Sequence, residues 1–186
     1  MRPLETDRLR LLPLTLADAP AIQQRFPRWE IVRWMDAVIP WPYPDDGALT
    51  YLSKVALPAM AEGRAWHWSL RPRAEPQTLI GVISLMDQED NNRGLWLSPE
   101  WQGQGLMTEA ADAVTDFWFE DLDRSVLRIP KAAGNGPSRR LSERRGMRVI
   151  ASFPKATVSG EHLSELWEIT RDEWRAARSF GAHRGA

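Results

Sequence analysis

Two glycines one residue apart, Gly103 and Gly105, stand between the apolar run Leu95-Trp96-Leu97 and a segment beginning Leu106-Met107-Thr108-Glu109-Ala110. Neither glycine has the Cβ that blocks positive φ or close approach, so the pair lets the backbone turn tightly and touch a ligand. Beyond it, Leu106, Ala110, Ala113, Val114 and Phe117 share one apolar stripe, which predicts a helix of about four turns. The first turn of such a helix offers N–H groups that no helical carbonyl accepts, and the helix dipole adds positive potential there. Strand, glycine turn and helix start together make an anion site, most naturally for phosphate. The plain alternative is a glycine turn that merely joins a strand to a helix.

Three phosphate readings compete. A Walker-type loop needs Gly-Lys-Ser/Thr at the helix start, but Leu106 and Met107 follow Gly105, so no lysine reaches a terminal phosphate. A dinucleotide fingerprint needs a third glycine where Thr108 stands, and it usually opens a domain rather than starting past its midpoint. The third reading fits. Gln102-Gly103-Gln104-Gly105-Leu106-Met107 resembles the acyl-coenzyme A loop of the GNAT acetyltransferases, Gln/Arg-x-x-Gly-x-Gly/Ala directly after a strand, with Met107 where glycine or alanine is usual.

The elements that must hold this loop read as follows. A short strand from Arg8 ends near Pro13, and Thr15 caps a helix to about Phe26. Residues 26–44 carry Trp29, Trp34 and Trp41 among four prolines and do not read as one long helix; a second helix runs from Asp45 or Asp46 to Glu62, with Pro58 set to kink or shorten it. Ala65 to Leu70 and Thr78 to Met86 form a hairpin, and Arg93 to Leu97 adds a third antiparallel strand. After the loop and its helix comes the strand Ser125 to Ile129, an arrangement that implies a parallel pair with a right-handed crossover. A short helix from Pro137 to Arg145 ends at Gly146, a closing hairpin spans Met147 to Phe153 and Leu163 to Thr170, and residues 171–186 form a polar tail, helical at first.

Composition narrows the function. The 186 residues make one domain with a sizeable core, and a net charge of −1 gives no electrostatic reason to expect nucleic acid or an anionic membrane as partner. There is no long apolar run and no signal-peptide core, so the expected location is the cytoplasm. With no cysteine, acyl transfer through a cysteine thioester is excluded, and His67, His162 and His183 are too scattered for a zinc site, so no metal is expected.

The order of elements is the GNAT arrangement, and further stretches sharpen the resemblance. Leu4-Glu5-Thr6-Asp7-Arg8-Leu9-Arg10-Leu11, Asp18-Ala19 and Pro42-Tyr43-Pro44 are similar to the branch that acetylates the N-terminal residue of ribosomal proteins. Gly94-Leu95-Trp96-Leu97 resembles that branch's Gly-Tyr-Trp-Leu strand, with Leu95 at the tyrosine position. Asn135-Gly136-Pro137-Ser138, followed by Leu141, Glu143 and Gly146, resembles its second cofactor motif, with Met147 replacing an aromatic residue. The resemblance runs from Leu4 to about Thr170. It implies an α/β (α+β) GNAT fold: a central mixed, mostly antiparallel sheet of about seven strands, with one splayed parallel pair, flanked by about four helices. It implies a single domain over residues 1–186.

The implied activity is acetyl-coenzyme A-dependent N-acetyl transfer, directly from thioester to a primary amine, either a peptide or protein N-terminus or a small amine. The backbone of Gln102, Gly103, Gln104, Gly105, Leu106, Met107 and Thr108 is expected to hold the pyrophosphate, and that of Leu97 to bond the pantetheine or thioester carbonyl. Asn135 is expected to bond the cofactor arm, and Ser138 to lie near the sulfur and give the leaving thiolate its proton. Trp29, Trp34 and Trp41 would wall the acceptor side. The partners expected are acetyl-coenzyme A and an amine, without nucleic acid or membrane; a homodimer is left open. Each residue also has a plain reading: Asn135 as a turn residue, Ser138 as a helix cap, Glu109 as a local pairing group rather than a base, His67 as a packing residue, and Arg139, Arg140, Arg144 and Arg145 as partners of the helix dipole rather than of the cofactor's ribose phosphate. Asp87, Glu89 and His67 are the candidates for a base acting through water. The alternative function is a non-catalytic acyl-coenzyme A-binding or sensing module, for which Met107 and Leu95 are the departures that leave room.

Overall fold

The computed structural model describes residues 1–182, with side chains through Ser179; residues 183–186, which include His183 and the end of the polar tail, lie outside the described residues. Five antiparallel strands form the first sheet in chain order: β1 (Leu4–Glu5), β2 (Leu9–Pro13), β3 (Ala65–Pro72), β4 (Gly81–Met86) and β5 (Arg93–Leu97). Three more form a second sheet, in which β8 (Gly160–Thr170) lies between β6 (Val126–Ala132) and β7 (Arg148–Thr157). Among the described residues there are thus eight strands, the addition being the two-residue β1. Its pairing of Leu4 with Leu11 is set by a neighbour rather than by any periodicity two residues can display.

The two sheets meet and part between β5 and β6. At the meeting point Asn92 N–H donates to Arg128 O (2.8 Å) and Arg128 N–H to the Asn92 side-chain oxygen (2.7 Å). Ala133 N–H bonds Leu163 O, so alternation along the β6–β8 ladder turns the backbone polar groups of Arg128 and Pro130 toward β5. Pro130 has no N–H to give, which removes the next bond of a continued ladder and helps the strands diverge.

Helices cover both faces. On one side, α1 (Ala19–Arg25) follows a 3₁₀ turn capped by Thr15, and the single-turn α2 (Trp29–Val32) leads toward α3 (Gly47–Tyr51). From α3 the helix runs through a π turn (Leu52–Ala56) into α4 (Leu57–Ala61). The π turn sits just before Pro58, whose missing N–H breaks the ordinary hydrogen-bond register, so the proline neither ends nor shortens this helix. Leu14, Ile22, Phe26, Ile31, Val32 and Leu52 bury here against Leu79 and Val82. On the other side, α5 (Leu106–Asp116) continues in a π turn (Phe117–Asp121) and packs with α6 (Gly136–Glu143) and α7 (Arg171–Ala182). Trp66, Trp68, Trp118, Trp167 and Trp174 are buried in this second core. Half of the ten tryptophans are therefore core residues, which accounts for much of their unusual number.

Candidate active site

The site forms where β5 and β6 separate. Ser98 N–H donates to Ile80 O (2.8 Å), so Leu97, opposite Gly81, belongs to a pair whose polar groups turn away from β4 and toward the gap. The Leu97 carbonyl is taken by the Gln102 side-chain amide at 2.8 Å, which leaves the N–H facing the gap. Gly81 is required opposite it, since a Cβ there would come within 2.4 Å of Trp96 O. A donor fixed by a ladder and aimed into the gap suits a developing oxyanion.

The glycine loop follows directly. Gly103 and Gly105 have φ of +76° and +78°, and Gly105 caps α5. A Cβ on Gly103 would meet nothing within 4 Å, so the loop's outer side is open to a ligand. The N–H groups of Leu106, Met107 and Thr108 precede any helical carbonyl that could accept them, as an anion site at a helix start requires. The side chains of Met107 and Leu95 pack against the core.

Arg8 fixes this loop, a role the sequence did not suggest. Its guanidinium donates to Gln104 O (2.9 Å) and to Glu109 (2.8 Å), its backbone N–H reaches the same carboxylate at 2.8 Å, and the Thr6 hydroxyl is a fourth close contact. Burial tends to raise the Glu109 pKa, but these bonds outweigh it and hold the carboxyl below its ordinary value. Glu109 is thus an anchor, as its plain reading has it.

On the β6 side, Asn135 caps α6, its side-chain oxygen accepting the Ser138 N–H at 3.3 Å. Its φ of −82° shows that no left-handed turn is involved. Ser138 is therefore not the cap. Its hydroxyl oxygen instead accepts a 2.9 Å bond from Nζ of Lys131, the penultimate residue of β6. Lys131 was not foreseen because the expected strand ended at Ile129; extending the inward alternation Leu127, Ile129 by two residues would have placed a lysine inside. It is 6% exposed, and burial, with Arg93 adding like-charge repulsion, pushes its pKa well down. Of the arginines after Ser138, Arg139 pairs with Glu165 (2.9 Å) and Arg145 with Asp112.

The three tryptophans expected to wall the acceptor side divide. Trp34 lies at the Gly134–Asn135 loop, where its ring edge is 3.1 Å from the position of a Gly134 Cβ. Arg33 stands 4.9 Å over that ring and His162 5.3 Å beside it. Residues 33–39 are tied to the β7–β8 hairpin by Ser159 Oγ to Arg33 O (2.8 Å), Val158 N–H to Met35 O (3.0 Å) and Lys155 with Asp36 (3.0 Å). Trp29 and Trp41 pack on each other at 5.7 Å and stay 44% and 43% exposed. Tyr43 packs on Phe26 (5.2 Å), which in turn meets Trp96 (5.5 Å). Of the base candidates, His67 is buried, bonds Ser84 Oγ at 2.6 Å and has its pKa lowered by burial to about 4; Asp87 pairs with Arg124 at 2.8 Å. Among the described residues no group of three or more His, Cys, Asp or Glu could hold a metal ion, and no helix is long and apolar enough to cross a membrane.

Comparison with known proteins agrees with this geometry. The family description "Acetyltransferase (GNAT) domain" matches residues 8–148. A Bacillus subtilis (strain 168) protein named "Putative ribosomal N-acetyltransferase YdaF" is 36% identical over 73 residues, 37% of this chain and 40% of that relative's length. The crystal structure of a ribosomal-protein-S5-alanine acetyltransferase from Vibrio fischeri superposes with a TM-score of 0.79 at 16% identity, covering 94% of this chain and 99% of that one. Mycobacterium smegmatis RimJ in complex with a coenzyme A disulfide gives a TM-score of 0.77 at 18% identity over 98% of this chain and 93% of that one. At these identities the two structures establish the shared fold.

Proposed function

The chain belongs to the GNAT acetyltransferase family, and from that premise we propose that it is a single-domain, acetyl-coenzyme A-dependent N-acetyltransferase acting in the cytoplasm on a peptide or protein N-terminus or a small amine. The observation that carries the reading is the Leu97 N–H, aimed into the β5–β6 gap directly before the glycine cradle at Gly103 and Gly105. Acetyl-coenzyme A supplies the acetyl group as a reactive thioester. The backbone from Gln102 to Thr108 binds its pyrophosphate, and Leu97 N–H stabilises negative charge on the acetyl oxygen. Asn135 bonds the pantetheine arm with the amide nitrogen its capping role leaves free, and Ser138 donates a proton to the departing sulfur.

An amine acceptor needs little help from a base. An α-amine has a pKa of about 7.7 to 8.0, so a usable fraction is neutral near pH 7. The names of the ribosomal relatives support a peptide N-terminus as the acceptor class. Met107 and Leu95, the departures that leave room for a binding-only module, are partly buried and pack against the core.

Incubating the protein with acetyl-coenzyme A and a library of short peptides and amines, and following free thiol and acceptor mass, tests the proposal. Acetylation of N-terminal amines is expected. Stabilisation by acetyl-coenzyme A without transfer to any acceptor would favour the binding module, and no stabilisation would defeat both readings.

A further inference from the structure

We propose that Lys131 is a positioning residue for Ser138: its ammonium, held by β6 beneath the start of α6, orients the serine hydroxyl toward the sulfur and restores the proton that the serine gives up. The inference rests on the acetyl-transfer reading above. It starts from a costly placement. Lys131 continues the inward row of Leu127 and Ile129, where an apolar side chain would fit at no electrostatic cost, and it is 6% exposed. Burying an ammonium is expensive unless it is paired.

Among the described residues no ion pair offsets that cost. Glu165 stands opposite Lys131 in the β8 register, but its carboxylate accepts from Arg139 Nε of α6 (2.9 Å) and Trp167 Nε1 (3.1 Å). From β5 the neighbouring charge is Arg93, also a cation, which is 6% exposed and bonds Thr115 Oγ1 of α5 at 3.2 Å. The carboxylate on that side, Asp112 of α5, is engaged by Arg145. Lys131 Nζ instead donates to Ser138 Oγ.

A donor on Ser138 Oγ occupies one of its lone pairs, and the serine hydrogen must then point elsewhere. During transfer the amine nitrogen bonds to the acetyl carbon and the carbon–sulfur bond breaks. Sulfur takes the hydrogen of Ser138, the serine oxygen takes a proton from the Lys131 ammonium, and the proton released by the acylated amine returns to Lys131 through water. The balance is one amine and one thioester to one amide and one thiol. Burial and Arg93 both favour loss of the lysine proton, which suits a relay. The neutral amine, by contrast, accepts the serine hydrogen and turns it away from sulfur. Activity should therefore fall on the alkaline side with the titration of Lys131, below the ordinary lysine range.

The test uses the full chain with acetyl-coenzyme A and an acetylated peptide or amine from the library. Lys131→Met is expected to lower kcat by roughly 10- to 100-fold with the acetyl-coenzyme A KM changed less than about threefold. Lys131→Arg, a donor that does not titrate, should recover part of kcat and lose the alkaline limb. In a Ser138→Ala background, Lys131→Met should cost nothing further. Lys131 is one of three lysines, so its titration can be followed by NMR with labelled lysine, and Ser138→Ala should shift it. A wild-type kcat in Lys131→Met, or an alkaline limb unchanged in Lys131→Arg, would overturn this proposal alone. A wild-type protein that binds acetyl-coenzyme A but transfers nothing would overturn the acetyl-transfer reading and this one with it.

Discussion

Ser138 and Asn135 divide two tasks that one residue often combines. The cap on α6 is the Asn135 side chain accepting the Ser138 backbone N–H, a bond that survives removal of the serine hydroxyl. Ser138→Ala should therefore leave the helix in place and report on chemistry. We expect kcat to fall about ten- to a thousand-fold with acetyl-coenzyme A affinity changed much less; an unchanged kcat would assign proton donation to water. Asn135→Ala is the complementary case, removing a cap worth about 1 kcal/mol as well as the proposed contact to the cofactor arm. Arg8 acts on the same scale from the opposite wall, tying Gln104 and Glu109 together so that the loop does not have to be ordered by its ligand.

Among the elements, the turn from β5 into α5 carries the sharpest test. Gly105 sits at φ +78°, and the nearest atom to an added Cβ is Arg8 Nη2 at 3.5 Å, so dihedral strain rather than a clash within the protein opposes substitution. Gly105→Val should cost about 1–2 kcal/mol at this conformation and raise the acetyl-coenzyme A Kd by more than about tenfold as the helix start distorts. Wild-type affinity in a folded variant would remove the loop from the phosphate site. The β3–β4 pair makes a different prediction. His67, bonded to Ser84, titrates at about 4 when folded against 6.5 ordinarily, so between those values the unfolded chain binds a proton that the folded chain does not. Stability should accordingly fall as pH drops from 6.5 to 4, by about 3 kcal/mol at most. Denaturation midpoints at pH 7, 5 and 4 should show the loss, and His67→Gln should reduce it; an equal loss in both proteins would contradict the assignment.

For the whole molecule, the proposed acceptor side is where separate parts of the chain converge. Trp34 joins three of them: the segment after α2, the Gly134–Asn135 loop and the β7–β8 hairpin through His162. Trp34→Ala is expected to raise the acceptor KM by more than about tenfold, with the acetyl-coenzyme A KM nearly unchanged, if the ring and its Arg33 neighbour help enclose the acceptor. Trp41, packed on Trp29 and half exposed, should matter less. A larger effect from Trp41→Ala than from Trp34→Ala would move the acceptor to the exposed pair. Strong turnover of highly charged polyamines alone would argue against an aromatic acceptor pocket altogether.

What the sequence determined by itself is local. Glycines at 103 and 105 announce positive φ because other residues resist it, the stripe from Leu106 to Phe117 announces α5, and the strands around the break show their alternation or their apolar runs. Asn135 three residues before Ser138 places a helix start. Packing decided the rest. Arg8 meets Glu109 across 101 residues of chain, Trp34 meets Gly134 through the closure of a distant hairpin, and Lys131 reaches Ser138 because β6 runs past Pro130, a residue that reads as a strand's end. Propensity and periodicity act over a few residues, so they reveal elements and turns. The partner of a buried charge is fixed only when those elements pack, because its cost of burial is set by whatever the fold brings beside it.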